Sequence, residues 1–171
     1  MKIRRTLKVV SLILFFSVNN YGQTDQQIQE NLEVSEITID ELNDIIKSRK
    51  GKVLLINIWA TWCIPCKEEF PDLIKISEKY GKQIELIGIS IDYPDEVDTK
   101  IIPFLNKLKP NFINYVNVEN DTEKFINNLN PNWSGAIPAT FFYDLNGKQF
   151  LFYEGKMSYE EIETKALKKI N

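Results

Sequence analysis

The chain contains no histidine and only two cysteines. The first absence removes the side chain most often used as a general base or metal ligand near neutral pH. The second excludes a disulfide-knit scaffold, which needs several cysteine pairs. A closed structural zinc site is a poor fit as well, because it takes four Cys or His ligands where two exist. Basic residues are not in excess: 21 Lys and Arg stand against 24 Asp and Glu, for a net charge of −3. With no basic cluster, nucleic acid is not an expected partner. Repeats and low-complexity tracts are also missing.

The longest apolar stretch, Val9 to Val18, is interrupted by Ser11 and Ser17 and follows Lys2, Arg4, Arg5 and Lys8. A positive segment before an apolar run too short to span a bilayer predicts a secretory signal over residues 1–22, cleaved before Gln23. An uncleaved N-terminal anchor is the alternative. No cysteine follows the run, which speaks against a lipid anchor. Losing the four positive charges of residues 1–22 takes the net charge from −3 to −7. Residues 23–34, rich in Gln and Asn, predict a flexible lead-in, and residues 35–171 a single domain. The expected location is the periplasm or the outer face of the cytoplasmic membrane.

Along the domain, "EITID" predicts a short strand and "DELNDIIKSRKG" a helix closed by Gly51. "KVLLINIWA" is an almost unbroken apolar run, as expected of a strand buried on both faces. A helix ending at Gly81 follows, then strand "IELIGISID", an irregular helix bent or restarted at Pro103, strand "FINYVNV" and helix "DTEKFINNL". "AIPATFFYD" and "KQFLFYEG" flank Asn146-Gly147, a strong hairpin signal. Ser158 and Glu161 form a capping box for the last helix. This order predicts an α/β fold with a mixed sheet covered by helices on both faces.

Against this background, "WATWCIPCKEEFP" (residues 59–71) holds both cysteines, where a buried strand hands over to a helix. Such carboxyl edges of α/β sheets commonly carry sites. Cysteines three residues apart in a first helical turn can form a disulfide, and the free N–H groups and dipole of that turn favour a thiolate. No histidine is then needed to activate sulfur. The expected roles are Cys63 as attacking thiolate and Cys66 as resolving thiol, with Pro65 restraining the turn. A purely structural disulfide, a zinc site or a copper site fits less well.

"INIWATWCIPCKEEFP" resembles the active-site segment of thioredoxin-fold proteins, nearest to the TlpA/ResA-like thiol–disulfide oxidoreductases of bacterial envelopes. Trp62 and the interior helix proline Pro71 fit that family. The resemblance implies a thioredoxin-like fold with an N-terminal strand/helix extension and an insertion after the second core strand. It implies a cis-proline at Pro138 in "GAIPATFF", opposite the cysteines, and a substrate groove formed by Trp62, Ile64, Pro65, Ile137 and Trp133. Core packing is the alternative for Trp133. Glu69 matches a glutamate expected to tune proton transfer, with a solvated surface position as its alternative. Asn57 stands where thioredoxins proper have a buried aspartate.

The implied activity is disulfide reduction in envelope proteins, with apocytochrome c as one candidate substrate. Re-reduction would come from a membrane electron donor, and no metal or organic cofactor is required. A monomer is expected. Two other readings are a peroxiredoxin-like thiol peroxidase, for which Thr61 would frame Cys63, and a non-enzymatic redox-sensing binding module.

Overall fold

The computed structural model describes residues 33–49 and 51–170. The signal segment expected over residues 1–22, and all but the end of the lead-in, lie outside the described residues.

Strand β1 (Ser35–Ile37) leads into helix α1 (Ile39–Ser48). Thr38 and Glu41 start that helix with a reciprocal cap: the Thr38 hydroxyl accepts from the Glu41 N–H, and the Glu41 carboxylate accepts from the Thr38 N–H. This pairing satisfies two otherwise orphaned donors. The helix stops before the expected glycine, and Gly51 follows with φ +83.

Strand β2 (Val53–Trp59) is buried at all seven positions. It lies between strand β3 (Ile84–Ser90), which is parallel to it, and strand β5 (Ala139–Tyr143), which is antiparallel. Strand β4 (Ile113–Asn117) pairs with β3 and β1, and strand β6 (Gln149–Glu154) closes the other edge, giving the order β1-β4-β3-β2-β5-β6. The mixed sheet, with helices on both faces and an added N-terminal strand and helix, is thioredoxin-like.

Side chains alternate across a strand, so β2 feeds two cores. Leu54, Ile56 and Ile58 meet α1 and helix α4 (Thr122–Leu129) through Leu42, Ile46, Phe125 and Leu129. Val53, Leu55 and Trp59 meet helix α2 (Ile64–Tyr80) and helix α5 (Tyr159–Leu167) through Phe70, Leu73, Ile76 and Ile162. Burying each such side chain contributes roughly 1.5–3 kcal/mol. Trp59, the last residue of β2, packs against Phe70 and Phe104 with ring centroids 5.0 and 5.1 Å away. That cluster ties the strand end to the second turn of α2.

The insertion between β3 and β4 holds a 3-10 turn (Pro94–Glu96), a π-helical turn (Val97–Ile101) and helix α3 (Ile102–Leu108). Pro103 sits in the first turn of α3, directly after the π-helical turn, so the widened turn coincides with the residue that lacks an N–H. Among the described residues, no helix is long and apolar enough to cross a membrane.

Candidate functional site

Residues Ala60 to Cys63 form a tight turn between β2 and α2, closed by the Cys63 N–H donating to the Ala60 carbonyl at 3.2 Å. Cys63 is the N-cap of α2, and its Sγ accepts from the Cys66 N–H at 3.2 Å. Pro65 falls in the first turn of the helix. Cys63 and Cys66 form a disulfide, their Cα atoms 5.3 Å apart. Cys63 retains 5% exposure and Cys66 1%, so Cys63 is the more accessible residue of the pair. Trp62 and Ile64, on either side of Cys63 in sequence, are 60% and 66% exposed, and Pro65 is exposed as well.

Facing the disulfide is the segment that enters β5. Sγ of Cys63 lies 3.7 Å from the carbonyl oxygen of Ile137, and the Ile137–Pro138 peptide is cis. Three contacts hold this segment. The Gly155 N–H donates to the Pro138 carbonyl at 2.8 Å. Both the N–H and hydroxyl of Ser134 donate to the Glu154 carboxylate at 2.9 and 2.7 Å. The indole N–H of Trp133 donates to the Ala136 carbonyl at 2.8 Å.

Trp133 itself is buried, its ring edge-on to Phe125 and Phe141 in the core shared with α1 and α4. Its bond to Ala136 props the 134–137 loop, and the residue also borders a cavity lined by Asp92, Tyr93 and Gly135. Of the residues expected to line a groove, Trp62, Ile64 and Pro65 are exposed next to the cysteines in sequence, and Ile137 is half-buried with its carbonyl beside Cys63 Sγ.

One turn after Cys66, Glu69 points into the protein and is only 1% exposed. Its Oε1 accepts from the Met157 N–H at 2.9 Å and its Oε2 from the Asn57 side-chain amide at 3.1 Å. Asn57 also donates to the Thr140 hydroxyl at 3.0 Å. Burial pushes the Glu69 carboxyl up to about 7, against the opposing pull of the Met157 and Asn57 donors. A group titrating near neutrality, on the same helical face as Cys66, can give or take a proton as thiol chemistry proceeds. The neighbouring Glu68 differs: it is exposed and paired with Lys156 at 2.7 Å.

Sequence reasoning missed Asp92. This side chain is 2% exposed just beyond β3. It accepts from the Thr61 N–H at 2.8 Å, the Thr61 hydroxyl at 2.6 Å and the Ser90 hydroxyl at 2.5 Å. The available signal was an acidic residue ending an otherwise buried apolar run. Thr61, 31 positions away, is thereby turned toward Asp92. Among the described residues, no group of three or more His, Cys, Asp or Glu could hold a metal ion.

A dithiol–disulfide couple at the lip of a thioredoxin-like sheet defines the class: a thiol–disulfide oxidoreductase. The model of the AhpC/TSA family matches residues 25–148, and the chain belongs to that family, among its ResA-like thiol–disulfide oxidoreductases. The thiol-disulfide oxidoreductase ResA of Bacillus thuringiensis (strain Al Hakam) is 31% identical, over 73% of this chain and 67% of that protein. ResA of Bacillus cereus (strain ATCC 10987 / NRS 248) is 25% identical over 99% of both chains. The crystal structure of a thiol:disulfide interchange protein from Chlorobium tepidum TLS shares the fold. Its TM-score is 0.61 at 20% identity, covering 75% of this chain and 85% of that one.

Proposed function

We propose that the protein works outside the cytoplasmic membrane as a reductant of disulfides in other polypeptides. The observation that carries this reading is the Cys63 sulfur at a helix N-cap, beside the Ile137 carbonyl, with Cys66 one turn deeper. In the reduced protein, the amides of the first turn stabilise a Cys63 thiolate. That thiolate attacks one sulfur of a substrate disulfide. The substrate S–S bond breaks, a mixed disulfide forms, and the other substrate sulfur leaves as a thiolate. Cys66 then attacks Sγ of Cys63, releasing the second substrate thiol and leaving the Cys63–Cys66 disulfide. Two electrons pass to the substrate, and a membrane dithiol donor restores the pair.

The exposed Trp62, Ile64 and Pro65 offer an apolar rim against which an extended substrate can lie, and the backbone before Pro138 is suited to pair with it. Glu69 is the proposed proton partner of Cys66, because its carboxyl can hold or release a proton near pH 7. Support for the reducing direction comes from Ile64 and Pro65, which supply no side-chain donor to stabilise the reduced thiolate. Names of ResA relatives support exchange chemistry without naming a substrate. Apocytochrome c, with its paired cysteines, remains the candidate to test first. The peroxidase reading loses ground because the Thr61 hydroxyl is engaged by Asp92.

Insulin reduction with dithiothreitol as donor tests the reading. Wild type should precipitate the insulin B chain, and Cys63→Ser should fall to the protein-free rate. Cys66→Ser should accumulate mixed disulfides with exported proteins. A reduction potential near −120 mV, typical of strong oxidants, would reverse the assigned direction.

A further inference from the structure

We propose that Asp92 is a positioning residue for the exchange reaction: its carboxylate holds Thr61, and through it the Ala60–Cys63 turn, so that Trp62 and Cys63 are presented together to a polypeptide disulfide. The inference deepens the exchange reading above and rests on it.

The turn needs an external brace. Its central residues are Thr61 and Trp62, closed by the Cys63 N–H to Ala60 carbonyl bond. Trp62 is 60% exposed, so burial of its ring cannot hold the turn in shape. Thr61 supplies the hold instead, because both its N–H and its hydroxyl donate to the same carboxylate. Two bonds to one rigid group fix both the backbone and the side-chain rotamer of the residue that makes them.

The brace is itself secured. Ser90, fully buried, donates its hydroxyl to Asp92, and its oxygen accepts the Asp92 N–H at 3.0 Å. One residue before Asp92, the Ile91 N–H donates to the Trp59 carbonyl at 2.9 Å. The end of β2, where the turn begins, and the end of β3, which carries Asp92, are therefore locked to each other. All the groups bonded to the Asp92 carboxylate are neutral. Donors held in line in this way give the carboxylate a defined geometry.

Tyr93, next to Asp92, is 74% exposed. The clamp thus joins two segments that each carry an exposed aromatic, Trp62 on the turn and Tyr93 on the loop after β3. Both are exposed and open to a visiting polypeptide, whereas a small disulfide needs only the sulfur.

That distinction provides the test. Thr61→Val, Asp92→Asn and the double variant are compared with wild type in the full chain, using insulin and the small aromatic disulfide DTNB. Asp92→Asn should lower kcat/KM for insulin about tenfold, chiefly through KM, while the DTNB rate stays within about twofold of wild type. Thr61→Val should lose about threefold on insulin, and the double variant no more than Asp92→Asn, because both remove one contact. Equal losses on the two disulfides would overturn the proposal, as would unchanged insulin kinetics or additive losses. If Asp92→Asn does not fold, Thr61→Val decides between the same outcomes. Wild type inert toward insulin removes the exchange reading and this proposal with it. An active wild type with unaffected variants removes only the proposal.

Discussion

The sheet presents the same strands to two cores, and the two cores bury different chemistry. On the α1 and α4 side, β2 contributes Leu54, Ile56 and Ile58, which meet Leu42, Ile46, Phe125 and Phe141. On the α2 and α5 side, the same strand contributes Val53, Leu55, Asn57 and Trp59. Strand register puts Gly88 and Thr140 beside Asn57, Ser90 beside Trp59, and Asn114 beside Gly88. The buried polar side chains of the strands and helices, Asn57, Glu69, Ser77, Ser90, Asn114 and Thr140, thus all lie on the α2 side. Gly88 belongs to this crowding, since a Cβ there would come within 2.1 Å of Asn114 Oδ1. One face supplies cohesion. The other accepts the cost of buried polarity, part of which holds Glu69, through Asn57, one turn from Cys66.

Giving the cohesive face a polar group should produce the largest effect. Ile56→Asn removes a fully buried side chain and leaves an amide among Leu42, Ile46 and Phe125 without partners. A loss of about 4 kcal/mol or more is expected, read as a lower urea midpoint at unchanged slope. A small loss would mean that the two faces are not as different as their burial implies.

The reverse change, removing charge from the polar face, should stabilise the protein and do so in one direction of pH. Glu69 has a folded value of about 7 against an ordinary 4.5. Below 4.5 both folded and unfolded chains hold the proton, and the carboxyl costs nothing. As pH rises from 4.5 to 7, only the unfolded chain releases it, so stability falls, and above 7 the full penalty is present. Glu69→Gln should therefore gain up to about 3 kcal/mol above pH 7 and almost nothing below pH 4.5. Urea unfolding at pH 4 and pH 8 checks this. An equal gain at both would show that the carboxylate is not penalised by burial. The same variant should flatten the pH dependence of thiol exchange near 7.

A smaller effect is expected at the prop under the substrate loop. Trp133→Phe keeps the aromatic packing on Phe125 and Phe141 but deletes the indole bond to the Ala136 carbonyl. The cost should be about 1 kcal/mol in unfolding free energy, with insulin reduction slowed more than the DTNB reaction. Equal slowing of both would make Trp133 an ordinary core residue.

The cysteine pair was legible because its chemistry is local: three residues apart on a helix start, the sulfurs need no distant partner to meet. The order of strands and helices was legible for a similar reason, since "KVLLINIWA" and Asn146-Gly147 state their periods and turns within a few residues. Glu68 and Glu69 look alike in sequence. They part only because one faces Lys156 in solvent, while the other is met by Asn57 and the Met157 N–H, 88 positions further along. Trp133 could have faced a groove or a core. Its ring packs on Phe125 and Phe141, contacts that lie outside its own stretch of sequence.

What the amino-acid order determined unaided was a buried strand, a helix opening on two cysteines, and a pattern of apolar positions able to form layers around them. These follow from backbone periodicity, turn propensity and covalent spacing, all short-range quantities. Tertiary structure alone decided which carboxylates would be buried, which hydroxyl would brace the turn, and which carbonyl would stand beside sulfur. Each of those outcomes requires residues tens of positions apart to share a small volume with little water, where desolvation and aligned hydrogen bonds outweigh local preference.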